Sequence, residues 1–141
     1  MQEQMPSKDL HGQWQAIALG DSCLVHMRGE DILTLFPLDN SASFTNRPHL
    51  LSSNPADNSR ALEHVRTMNG TWVPGDAFYL MTDALACWFM REVEEGRTPW
   101  AVLRDLETSD EIKPFREWVA DLRMDRAIRN DDVTLLRLDI A

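Results

Sequence analysis

Two hydrophobic periods alternate along the chain. Apolar residues dominate Trp14 to Leu19 (WQAIAL), which reads as a mostly buried strand, and Gly20-Asp21-Ser22 then breaks the run as a turn. Cys23 to Met27 and Ile32 to Phe36 flank Arg28-Gly29-Glu30-Asp31, the pattern of a hairpin closed by a glycine-containing loop. From Pro37 to about Arg60 the chain turns to Pro, Asn, Ser and Asp, and no regular element is predicted there. Leu62 to Met68, Asn69-Gly70 and Thr71 to Val73 predict a second hairpin, because Asn-Gly tolerates the positive φ angles of tight turns. Pro74-Gly75-Asp76 makes a further turn before the apolar run Ala77 to Met81, a central strand.

The period then lengthens to that of helices. Asp83 is placed to cap a helix from Ala84 to about Glu95, with Leu85, Trp88, Phe89 and Val93 on one face and Gly96 marking its end. A short helix follows Pro99, and Asp110 to Arg126 carries another, with Ile112, Phe115, Trp118, Val119 and Leu122 as its buried stripe. Val133 to Ile140 (VTLLRLDI) closes the chain as a strand. Sheet-forming runs at both ends with helices between them make an α+β protein.

Composition narrows the function classes. The 141 residues, 43% of them hydrophobic, suffice for one globular domain (13–141) behind a polar tail (1–12). Acidic residues outnumber basic ones by 23 to 14, and a net charge of -9 argues against nucleic acid or an anionic membrane surface as partner. The same surplus suits cation binding, and solubility explains it equally. The first dozen residues lack a secretory pattern and no stretch is long enough to span a bilayer, so a cytoplasmic location is expected. Cys23 and Cys87 lie in apolar contexts and read as small buried hydrophobes, while His11, His26, His49 and His64 have no ligand spacing.

Three short segments place aspartates at element ends: Gly20-Asp21-Ser22, Thr82-Asp83-Ala84-Leu85 and Asn130-Asp131-Asp132-Val133-Thr134. Singly, each has a structural explanation as a turn, a cap or a chain break. In order, AIALGDSCLV, GDAFYLMTDAL and NDDVTLLRL resemble the C-terminal signature of the type 2C (PPM-type) metal-dependent serine/threonine protein phosphatases of bacterial type. The resemblance extends from Trp14 to the C-terminus. It implies a four-layer α-β-β-α sandwich and a cluster of Mn2+ or Mg2+ ions at one end, hard cations that prefer carboxylate oxygen. It further implies that Asp83 and Asp131 share one ion of the catalytic pair, that Asp21 with Asp83 holds a third, and that metal-held water attacks a phosphoserine or phosphothreonine ester of a protein substrate.

The chain also departs from that pattern. No Asp-Gly dipeptide occurs in it, so the ligand that bridges the two catalytic ions in the resembled family has no counterpart. Cys23 stands where Arg commonly follows GDS, Ala84 replaces a common Gly, and Asp132 a common Asn. A sandwich without its early strands leaves apolar sheet uncovered, so an N-terminal part of the domain, a second copy or a separate partner is expected to cover it. This fragment alone is expected to be inactive. The rival reading is a pseudophosphatase-like module that keeps the fold to bind a protein, and a third is a structural domain whose aspartates only cap and turn.

Overall fold

The computed structural model describes residues 10–20, 22–44, 65–107 and 113–141. Among these residues, six strands and three α-helices make a mixed α+β protein with two antiparallel sheets. The strands are β1 (Gly12–Ala18), β2 (Cys23–Arg28), β3 (Asp31–Phe36), β4 (Arg66–Trp72), β5 (Asp76–Met81) and β6 (Leu135–Asp139). The helices are α1 (Asp83–Glu94), α2 (Pro99–Glu107) and α3 (Lys113–Met124), and one 3-10 turn, η1, covers Ser41–Ser43.

A four-stranded sheet of order β3-β2-β5-β6 is the centre of the molecule. The β2–β3 hairpin forms as its pattern predicts, closed at Gly29, whose φ of 62° is the left-handed conformation that glycine adopts without steric cost. Alternation then divides the sheet's two faces. Cys23, Val25, Met27, Tyr79 and Met81 point to the helices and join Leu85, Phe89 and Leu103 in one buried core. Val119 of α3 is also buried, with Trp118 and Leu122 packed against the same cluster.

The other face of that sheet meets a two-stranded sheet, β1 against β4. Trp14 makes the contact, its ring edge-on to His26 and to Phe78 at 5.7 Å from each, while His26 and Phe78 stack at 4.3 Å. Here the sequence expectation of a second hairpin fails. Asn69-Gly70 is no turn; it lies inside β4, with Asn69 paired to Gln15 and Gly70 to Trp14. The reason is steric: a Cβ on Gly70 would lie 2.3 Å from the Trp14 ring, and one on Gly12 would lie 2.3 Å from the ring of Trp72. The two glycines are the floor on which the two cross-strand indoles lie, a packing role that a turn propensity does not report.

Smaller differences follow the same logic. The helix cap is Thr82 and not Asp83, which is the first residue of α1. The closing strand begins at Leu135, because Thr134 and the residues before it are tied to the start of α1. Cys23 is buried as expected, whereas Cys87 is half-buried. Residues 45–60 of the irregular stretch, Leu62 and Ile112 lie outside the described residues.

Candidate metal centre

The start of α1 and the segment before β6 are clamped together. The Thr82 hydroxyl donates to the Asp132 carbonyl at 3.2 Å and accepts from the Thr134 N–H at 2.9 Å, while the Thr82 N–H donates to the Thr134 carbonyl at 3.1 Å. One threonine thus fixes β6's entry beside the end of β5. Asp83 follows directly, its Oδ1 accepting from the Ala84 N–H at 2.8 Å, where a carboxylate complements the positive end of the helix dipole.

The second oxygen of Asp83 is engaged from across the clamp. Arg129 Nη2 donates to Asp83 Oδ2 at 2.6 Å, and the Arg129 carbonyl accepts from the Asp131 N–H at 2.9 Å. Asp131 turns its own Oδ1 to the Asp132 N–H at 2.8 Å, and Arg123 Nη2 donates to the Asp131 carbonyl at 2.6 Å. The fold therefore carries Asp83 and the Asp131 turn to the same corner, from positions 48 apart in the sequence. Asp21 lies outside the described residues.

Searches against protein-family models, curated proteins and solved structures find no match to this chain.

As a donor set the corner is partial. Asp83 and Asp131 offer hard carboxylate oxygens suited to Mg2+ or Mn2+, but a guanidinium already neutralises Asp83, and any cation must compete with it. Among the described residues no three His, Cys, Asp or Glu side chains converge into a metal-holding group. Two carboxylates are too few to hold the pair of ions that two-metal hydrolysis uses.

A more completely built cluster lies at the other end of the sheet, around Asp76, whose Pro74-Gly75-Asp76 context marks only a turn. Asp76, the first residue of β5 and the partner of Arg28 on β2, is buried. Its Oδ2 accepts from His26 Nε2 at 2.8 Å, from Arg28 Nη2 at 3.0 Å and from the Val73 N–H at 3.0 Å, and its Oδ1 from Arg28 Nε at 2.9 Å. Burial pushes the Asp76 carboxyl up, but the hydrogen bonds from Arg28, Val73 and His26 more than offset this and hold it well below the usual carboxylate range. An ionised carboxylate only accepts, so His26 Nε2 is the donor in this contact. With Oδ2 accepting three hydrogen bonds, Oδ1 one, and no side-chain surface exposed, the cluster braces the sheet. The usable signal was the register of the pattern: His26, Arg28 and Asp76 all fall on the face opposite the helical core.

No helix among the described residues is long and apolar enough to cross a membrane.

Proposed function

We propose that this chain is the C-terminal part of a type 2C-like, four-layer phosphatase domain that hydrolyses phosphoserine or phosphothreonine esters on proteins once its remaining metal ligands are supplied. In that role Asp83 and Asp131 hold a Mn2+ or Mg2+ ion, and Asp21 with Asp83 a further one. The observation that carries the reading is the clamp at Thr82, which joins Asp83 to the Asp131 segment at one end of the sheet pair. A pair of such ions, when bound, supplies an activated water and neutralises phosphate charge. The chain's own part is to present carboxylates on a rigid helix start and strand entry.

Manganese titration calorimetry on the full chain tests this. Asp83→Asn and Asp131→Asn should each weaken binding about tenfold, since Asn keeps cap-like hydrogen bonding but lacks the charge that a hard cation needs. Asp132→Asn, the control, should leave binding unchanged. Hydrolysis of an aryl phosphate or a phosphothreonine peptide by the chain alone should stay at background, in keeping with the missing bridging ligand. Equal titrations for wild type and Asp83→Asn would sink the assignment.

The Arg129–Asp83 ion pair supports a second reading, a non-catalytic relative in which a guanidinium takes the cation's place and the fold serves to bind a protein. Arg129→Gln separates the two. If Asp83 is a ligand held in competition with Arg129, the substitution tightens manganese binding several-fold. If the ion pair is the end state, no manganese binding emerges and only stability falls.

A further inference from the structure

Thr82 is the N-cap of α1, in extended conformation (φ -70°, ψ 164°), where a threonine hydroxyl ordinarily accepts from an N–H of the first helical turn. It makes no such bond. The next residue, Asp83, takes up the Ala84 N–H with its Oδ1, and the Thr82 hydroxyl turns instead to the segment leading into β6. There it donates to the carbonyl of Asp132 and accepts from the N–H of Thr134, 50 and 52 positions further along the chain. A cap at this position has been given up for a tertiary bridge.

Stability is a poor account of that bridge. Both hydroxyl bonds lie at the surface, where water competes for the same groups and the net gain from a hydrogen bond is small. What water does not do is hold two segments at a fixed spacing. The two aspartates on either side of the bridge are each tied to their own backbone, Asp83 to the Ala84 N–H and Asp131 to the Asp132 N–H, both at 2.8 Å. Each carboxylate therefore moves with its segment, and Asp132 joins them through its main chain, its N–H holding Asp131 and its carbonyl held by Thr82. The other link across the corner, Arg129 to Asp83, uses the carboxylate oxygen for which a cation competes. The Thr82 bridge uses no carboxylate oxygen, so it stays in place whichever partner Asp83 takes.

We propose, resting on the metal reading above, that Thr82 is a positioning residue: its hydroxyl sets the spacing at which Asp83 and Asp131 serve one divalent cation, without itself touching the cation. A hydroxyl suits the task because it donates to one backbone group and accepts from another at the same time. Groups that orient metal ligands from behind act on affinity in this way.

Thr82→Val and Thr82→Ser, made in the full chain, test this by manganese titration calorimetry, urea unfolding and amide hydrogen exchange. Valine keeps the branched shape, has no cap bond to lose, and leaves the freed Asp132 and Thr134 groups to water. It should weaken manganese binding roughly tenfold, the low end for a group that orients metal ligands, while the urea midpoint stays close to that of the wild type. Serine restores the hydroxyl alone and should return most of the affinity. Without metal, the Thr134 amide should exchange faster in Thr82→Val and at the wild-type rate in Thr82→Ser. Gly70→Ala, which crowds Trp14 on the other sheet, should lower stability and leave manganese affinity unchanged. Equal affinity in wild type and Thr82→Val, or a serine variant as weak as the valine, overturns the proposal and leaves the metal reading standing. So does an affinity loss in Thr82→Val that comes with a fallen urea midpoint and is matched by Gly70→Ala. A wild type that binds no manganese overturns both.

Discussion

Asp76 and Asp83 are both aspartates at the start of an element, and their surroundings give them opposite characters. Asp76 has no exposed side-chain surface and receives four hydrogen bonds from His26, Arg28 and the Val73 N–H. Asp83 is partly exposed and holds a single arginine plus its neighbour's N–H. Removing one partner from a buried charge cluster leaves the others uncompensated, so Asp76→Asn should lower unfolding free energy by roughly 2–3 kcal/mol in urea titration. The pH dependence has a definite sign. The folded-state pKa of Asp76 lies below its unfolded value, so its contribution is fully present above about pH 4 and is lost as pH falls below that value. The wild type should therefore lose its stability advantage over Asp76→Asn progressively below about pH 4, and parallel acid limbs for the two would show that the carboxylate contributes nothing.

The strand pair β1–β4 has little to hold it apart from its packing. A two-stranded sheet is marginal alone, and here Trp14, seated on Gly70 and pressed edge-on to His26 and Phe78, packs it on the central sheet. Gly70→Ala forces the indole off its seat and should cost about 1–3 kcal/mol, the range for overpacking. Trp14→Ala removes the same contact from the other side. The double variant should then be less destabilised than the sum of the singles, since without the indole the added methyl meets open space. A denaturation cycle that comes out additive would mean that Gly70 matters for its backbone and not for its missing side chain.

At the scale of the whole molecule, the described residues bury the helical face of the central sheet and leave the opposite face partly exposed. Leu80, Leu136 and Leu138 remain exposed on that opposite face, Leu138 at 49%. Exposed leucines in a row promote association, so the chain should bind an apolar dye and scatter light as concentration rises. Replacing both Leu136 and Leu138 with lysine should reduce dye fluorescence and scattering several-fold while leaving the urea midpoint within experimental error, because neither residue belongs to the helical core. Unchanged dye binding would place the exposed apolar surface elsewhere.

Period and punctuation alone determined much of this protein. The β2–β3 hairpin, the central strand β5, the helix ending at Gly96 and the acidic, α+β character all follow from local spacing, which each segment carries within itself. The corner of Asp83 and Asp131 was approached through ordered motifs, yet Arg129 as the partner of Asp83 was not legible, since nothing local links positions 46 apart. The misread Asn69-Gly70 has the same origin. Its turn propensity is real, but the glycine is needed as space for an indole on another strand, and only tertiary packing decides such a need.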